Sequence, residues 1–168
     1  MRKLFTEFDM TYKKLLIFSI GIGVFSGVLG GLTSDTSFTD MAGGYDFWVV
    51  CALFIVCNCN GPLDAGIKCG LFFLISQPLQ FYIQAFLYSH NYGNAWYYTK
   101  VWLPVIALTF IGGAIAYYAK KDNTVGAIIL GLGNSIQMIS FVSYLLALLS
   151  KFPRHLLSTL FSIGSVIV

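Results

Sequence analysis

The sequence predicts an all-α fold: a polytopic bundle of about six transmembrane helices that forms a single integral membrane domain over residues 1–168. Three observations lead to this prediction. The chain is 57% hydrophobic and only 10% charged, with a mean hydropathy of +0.77, which lies outside the range of ordinary soluble domains. Its apolar residues fall into runs that charged or turn residues separate. Lys and Arg are concentrated on one side of the predicted membrane.

The length of each apolar run indicates whether it can cross a bilayer. A spanning helix needs about 20 apolar residues for roughly 30 Å of hydrocarbon. The second and sixth runs, at roughly 14 residues, reach only about 21 Å as helices, so they are half-spans or lie where the bilayer is thinner. The sixth ends with the chain itself, which leaves room for a longer protein. The six runs cover about 15–32, 46–59, 66–88, 101–119, 125–149 and 155–168.

The distribution of positive charge predicts a cytoplasmic N-terminus in a bacterial cell membrane, because Lys and Arg are enriched on the cytoplasmic side. The segment 150–155 is the exception, since it carries two basic residues to the outer side. A fifth run that turns back at residues 131–135 would remove this exception, so a simple crossing and a re-entrant pair are both considered. The residues placed inside are Arg2, Lys3, Lys13, Lys14, Lys68, Lys120 and Lys121, and those placed outside are Lys100, Lys151 and Arg154.

The connection between the third and fourth runs is rich in aromatic residues. Tyr and Trp prefer the membrane interface, so this segment is predicted to be an outer aromatic belt. The alternative is an aromatic lid over an outward-facing cavity, with His90 and Asn91 supplying polar contacts. The belt residues are Tyr88, Tyr92, Trp96, Tyr97, Tyr98 and Trp102.

The first run carries a row of glycines at every fourth position, Gly23, Gly27 and Gly31. Such a row lets another helix approach closely. It predicts either tight packing within the chain or a docking face for a larger membrane protein.

A stripe of amide side chains lies in the third run. At 100° per residue, the stripe occupies an arc of about 60°. An uncharged amide without a partner in lipid costs several kcal/mol, so this stripe must face protein or water. Its members are Gln77, Gln80 and Gln84, joined by Phe73 and Tyr88.

The fifth run contains a similar face of about 80°, made by Asn134, Gln137, Phe141 and Tyr144. The two amide faces could pair as interhelical glue. They could instead line a cavity between the third and fifth runs that binds a small polar or aromatic molecule. We favour the cavity, because five amides are more than two helices need to lock together. All the residues of both faces are therefore predicted to bind the ligand.

Other chemistry has little support in the sequence. Cys57, Cys59 and Cys69 are weak candidates for a soft metal ion, but they lack the second paired motif or histidines of a zinc site. His90 and His155 have no adjacent carboxylate motif, and no nucleophile has a recognisable companion. We therefore predict no cofactor, no enzymatic activity and no nucleic-acid partner.

Six short apolar segments, minimal loops and the small-residue row of the first run resemble the S (substrate-binding) components of energy-coupling-factor transporters. This resemblance implies a small six-helix protein that binds a vitamin or related molecule and docks on an energising module through its first helix. Alanines are typical of that docking row, whereas this chain has Gly23, Gly27 and Gly31. No vitamin-specific signature is present, so the resemblance is architectural.

Two functions follow as predictions. The first is an integral membrane protein that binds a small molecule in an intramembrane cavity, as a subunit of a transporter. The alternative is a non-transporting accessory, immunity or assembly subunit that packs against a larger membrane protein through the first helix.

Overall fold

A computed structural model of the chain describes residues 9–31, 37–152 and 154–167, and the regular structure in those ranges is helical. The predicted all-α class is therefore confirmed. A π-helical turn, Ala85–Ser89, extends α4, and a 3-10 turn, Tyr117–Lys120, extends α5. The helices are α1 (Tyr12–Gly31), α2 (Ser37–Gly43), α3 (Tyr45–Cys57), α4 (Pro62–Gln84), α5 (Tyr92–Ala116), α6 (Thr124–Ser150) and α7 (Leu156–Ile167).

Each of the six predicted apolar runs corresponds to a helix. Within the described ranges, four helices are long and apolar enough to cross a membrane: Tyr12–Gly31, Pro62–Ser89, Tyr92–Lys120 and Thr124–Ser150. Helices α3 and α7, which match the short second and sixth runs, have 13 and 12 residues. The basic residues Arg2 and Lys3 lie outside the described residues.

Helices α4 and α5 begin four and nine residues before the predicted runs, and local capping explains both differences. Helix α4 begins at Pro62 because Gly61 precedes it in an extended conformation and proline fits the first helical position. Helix α5 begins at Tyr92, where a loop was predicted, because the Asn91 side chain accepts a hydrogen bond from the Asn94 backbone N–H at 3.1 Å. Most of the predicted aromatic connection is therefore helical.

Helix α6 runs without a break through residues 131–135, so the re-entrant alternative for the fifth run is wrong. The basic segment that motivated this alternative meets a carboxylate instead. Asp40 of α2 lies 3.6 Å from Arg154 Nε and 2.7 Å from His155 Nδ1. This contact places the Asp40 carboxylate beside Arg154, one of the two basic residues that were the exception to the predicted distribution of positive charge.

Helix α4 is the centre of the packing, with α1 against one side and α5 against another. Helix α6 packs instead on α7 and on the 3-10 turn that follows α5. In the part of the chain that the structure describes, α4 and α6 form no packed interface, so the expected pairing of the third and fifth runs is wrong. Glycines explain the choice of neighbours, because they allow α1 and α5 to approach the α4 backbone closely.

The predicted glycine row lies in the α1–α4 interface. A Cβ atom at Gly23 would stand 2.9 Å from the Ser76 carbonyl oxygen, and one at Gly27 would stand 2.7 Å from Ile83 Cβ. At Gly31 it would overlap the Tyr88 ring. The row therefore packs within the chain, and α4 covers the face that was the candidate for partner docking.

Three polypeptide segments meet at one end of the bundle. The Lys120 ammonium donates to the Cys59 carbonyl at 2.8 Å, and the Tyr117 hydroxyl donates to the Asn60 carbonyl at 3.0 Å. The Lys68 ammonium lies 5.5 Å from the centre of the Tyr12 ring. These contacts bring the start of α1, the turn 58–61 and the turn 117–121 to the same end.

Candidate functional site

A cleft of about 510 Å³ lies between α3 and α5, with α4 as its floor. This volume falls within the range of small-molecule sites, about 300–1,000 Å³. Three helices contribute because α3 and α5 each pack on α4 and leave a groove between them. The lining residues are Gly43, Tyr45, Trp48, Val49, Ala52, Leu53, Val56, Cys69, Phe73, Gln77, Gln80, Phe81, Trp102, Val105, Thr109, Gly112, Gly113 and Ala116.

Two amides of the predicted stripe lie in this cleft. Gln77 and Gln80 are three residues apart on α4, so they share one face of the helix, and only 3% and 6% of them is exposed. The buried Gln80 Oε1 atom has no hydrogen-bond partner in the described ranges. Leaving such an atom unsatisfied costs about 1–3 kcal/mol. The amide nitrogen of the same side chain lies toward α1, 3.8 Å from the position of a Cβ atom at Gly30.

Aromatic rings form much of the wall around the amides. The Trp48 ring centre lies 5.9 Å from that of Phe73, and Phe81 lies 5.7 Å from Tyr98. Trp102 stands on the α5 side of the cleft. Such walls suit an aliphatic or aromatic body, because ring contacts favour apolar groups and stack on other rings.

Small residues of α5 leave the space open. A Cβ atom at Gly112 would meet nothing within 4 Å, whereas one at the adjacent Gly113 would lie 2.9 Å from the Ala65 carbonyl oxygen. Gly113 therefore holds α5 against α4, and Gly112 faces the cleft. Thr109 adds a hydroxyl, which donates to the Ile106 carbonyl at 2.6 Å and keeps an acceptor site.

The cleft contains three of the predicted ligand-binding residues, Phe73, Gln77 and Gln80. The other two members of the α4 stripe face α1. A Cβ atom at Gly30 would overlap the Gln84 amide nitrogen. The Tyr88 hydroxyl donates to the Val28 carbonyl at 2.9 Å. The C-terminal part of the stripe, Gln84 and Tyr88, therefore forms an interhelical contact with α1.

The predicted α6 residues lie apart from the cleft, whose lining includes none of them. Asn134 is exposed, Gln137 is buried, and Phe141 and Tyr144 are half-buried. The Tyr144 ring centre lies 6.4 Å from that of His155. Because α6 packs on α7, its amide face is not brought to α4, and the cleft is lined by α3, α4 and α5 instead.

Sequence reasoning missed the residues that α3 and α5 contribute. A signal for them exists in α5, where Trp102, Val105, Thr109 and Gly112 recur at three- and four-residue intervals and so share one helical face. This row has no amide, so a search for a second amide face passed over it.

The four cysteines are all free thiols, and Cys69 lines the cleft. The Cys59 thiol donates to the Ile55 carbonyl at 3.1 Å, and burial raises its pKa to about 11. The Cys69 thiol donates to the Ala52 carbonyl at 3.9 Å, and Cys57 is half-buried. Across the described ranges, no three His, Cys, Asp or Glu side chains are grouped closely enough to hold a metal ion.

The helices and their apolar surfaces define the chain as an all-α protein with four helices of membrane-spanning length. Compared with known proteins, the chain matches no family model, no curated protein and no solved structure.

Proposed function

We propose that this chain is an integral protein of the cell membrane that binds a small molecule with an apolar or aromatic body in the cleft between α3, α4 and α5. The observation that carries the proposal is the buried, unpartnered Gln80 Oε1 atom in a cleft of about 510 Å³. An amide that served as interhelical glue would be hydrogen-bonded to the neighbouring helix. Gln80 instead lines a ligand-sized space, and its acceptor atom has no partner in the described ranges.

The cleft supports a binding step. In a transporter subunit, as the resemblance to S components implies, this step would precede transfer of the molecule across the membrane. We therefore propose binding as the function of the chain and a transporter as its setting.

Blocking the cleft from its open side tests the proposal. Gly112→Phe places a ring in the empty space at the end of the cleft near Cys69, whereas Gly131→Phe places the same ring on α6, where a Cβ atom also meets nothing within 4 Å. We expect mass spectrometry to detect a small molecule that co-purifies with the wild type and with Gly131→Phe, and to find it reduced at least tenfold in Gly112→Phe. Equal recovery from all three proteins, or none from any, would refute the proposal.

We further propose that all six apolar helices lie in the membrane with the N-terminus inside. The cluster of segments at one end supports this arrangement, because it gathers Lys68, Lys120 and Lys121 on one side with the start of α1. Basic residues favour the cytoplasmic side. The opposite end carries exposed Trp96, Tyr97 and Tyr98, which suit the outer interface.

Cysteine labelling in intact cells tests this topology. Both Asn94 and Lys121 are exposed, at opposite ends of α5. We expect a membrane-impermeant maleimide to label Asn94→Cys in intact cells and to label Lys121→Cys only after the cells are permeabilised. The wild type, whose native cysteines are mostly buried, provides the background. The reverse pattern would place the N-terminus outside.

A further inference from the structure

We infer that the ligand is an uncharged amphiphile that enters the cleft sideways from the lipid bilayer, between α3 and α5, and places a hydroxyl or amide group against Gln80. This inference rests on the proposed binding function and specifies the class of molecule and its route. Four features of the cleft carry it: its mouth, its surroundings, its lack of charge and its shape.

The mouth of the cleft lies at mid-depth of the bundle. Two lining residues at this depth are exposed, Leu53 on α3 at 41% and Val105 on α5 at 40%, and the lining residue Tyr45 at the start of α3 is 72% exposed. Val105 lies about 20 Å along the helix from Tyr92 and about 23 Å from Lys120, the two ends of the span. A mouth at this depth opens onto hydrocarbon, because the polar headgroups lie at the ends of the span.

The surface around the mouth is apolar as well. Val101 and Leu108, about one turn to either side of Val105 on the same side of α5, are exposed. A hydrophilic solute would have to leave water and cross this lipid-facing surface to reach the mouth. An amphiphile is already dissolved in the bilayer, so only lateral diffusion separates it from the cleft.

The floor selects an uncharged polar group. None of the lining residues carries a formal charge, and an unpaired charge buried at this depth would be costly. Gln80 lines this floor and its Oε1 atom has no partner in the described ranges, so a ligand group that donates a hydrogen bond to it would be favoured. A hydroxyl or a carboxamide both donates and accepts, so either one satisfies Gln80 whichever way its amide is turned.

The shape of the cleft suits a chain. Its α3 wall extends from Tyr45 to Val56, a rise of about 16 Å along the helix. This wall is apolar apart from the Tyr45 hydroxyl and the Trp48 ring nitrogen. An elongated hydrocarbon or isoprenoid chain would cover it while the polar end reaches Gln80.

Fluorescence quenching of Trp48 tests the inference. Trp48 lines the cleft and is only 7% exposed. Trp96→Phe together with Trp102→Phe leaves it as the only tryptophan, since the chain has three. The protein is reconstituted in phosphatidylcholine vesicles, and a terminally brominated long-chain primary amide is added as the quencher. The matching brominated alcohol and the ionised brominated carboxylate are compared with it.

We expect the amide and the alcohol to quench Trp48 with saturation, and the carboxylate to require at least a tenfold higher concentration. Aqueous iodide should not quench Trp48. Gln80→Leu should raise the half-saturating concentration of the amide about tenfold, and Gly112→Phe should abolish the saturable phase. Gln84→Leu is the matched control on the same helix, and it should change nothing, because Gln84 is not part of the cleft lining.

Several outcomes would overturn the inference. Quenching by iodide would show a cleft open to water, and equal binding of the carboxylate would show that charge is tolerated. Binding of the amide only after a dimer dissociates would assign the groove to a second copy of the chain. If the brominated probes fail but Gly112→Phe still loses its co-purified molecule, the proposed function stands and the amphiphile is wrong. If both experiments fail, the binding function fails as well.

Discussion

Replacing Gly27 by leucine is expected to cost the protein about 2 kcal/mol or more of folding stability. A Cβ atom at Gly27 would stand 2.7 Å from Ile83 Cβ and 3.0 Å from the Gln80 carbonyl oxygen, so α1 must move away from α4. Overpacking of this kind typically costs 1–3 kcal/mol. In a chain of this length, the loss corresponds to a fall of roughly 4–8 °C in the thermal unfolding midpoint.

Gly21→Leu is the matched control, because a Cβ atom at Gly21, in the same helix, would meet nothing within 4 Å. We expect its unfolding midpoint in the same detergent and at the same heating rate to stay within about 1–2 °C of the wild type. Equal effects of the two substitutions would contradict the α1–α4 packing. They would favour the alternative in which the glycine row docks a partner protein.

Replacing Gln77 and Gln80 together by leucine is expected to weaken ligand binding by roughly 10–100-fold. Each hydrogen bond contributes about 0.5–1.5 kcal/mol, and 1.4 kcal/mol is a factor of ten. The same double substitution should leave the unfolding midpoint unchanged or raise it. Leucine has a similar volume and removes a buried polar atom that has no partner in the described ranges.

The opposite pair of results would show that Gln77 and Gln80 form a structural contact between helices. If the leucine protein unfolds at a much lower temperature and the co-purified molecule disappears only with the fold, the two amides were structural. Gln84→Leu separates local from general effects, because Gln84 is on α4 but contacts α1 near Gly30. We expect it to retain binding.

The sequence is sufficient to predict the six apolar helices, because the local composition of each run determines them, but it did not predict the short α2 between the first and second runs. Runs such as 125–149 are too apolar for water and long enough to cross lipid, and the structure has α6 at Thr124–Ser150. The starts of α4 and α5 were misplaced because single residues determine them. Gly61 and Asn91 terminate the preceding segment and begin the helix, which hydropathy averaged over a window does not detect.

The site was only half predictable. Burial of Gln77 and Gln80 followed correctly from the cost of amides in lipid, a property of each residue alone. The identity of the facing helices depends on which backbones approach each other, and Gly66 and Gly113 bring α5 onto α4. An amide stripe indicates that a polar partner is needed, but it does not indicate which helix supplies that partner. The prediction therefore paired α6 wrongly with α4.

Charge pairs between residues far apart in the chain could not be predicted from the sequence either. Arg154 violates the charge bias when each connection is counted separately, yet it lies 3.6 Å from Asp40, a residue more than 100 positions earlier. A rule that counts charges by loop cannot anticipate this compensation. The fifth run therefore needed no break.

An experimental map of the protein in lipid nanodiscs tests the central claim most directly. We expect elongated density between α3 and α5, entering past Leu53 and Val105 and ending within hydrogen-bonding distance of Gln80. The same map of Gly112→Phe should lack this density. A map in which α3 closes directly onto α5, or in which Gln80 bonds to another helix and the groove is filled by protein, would contradict the account.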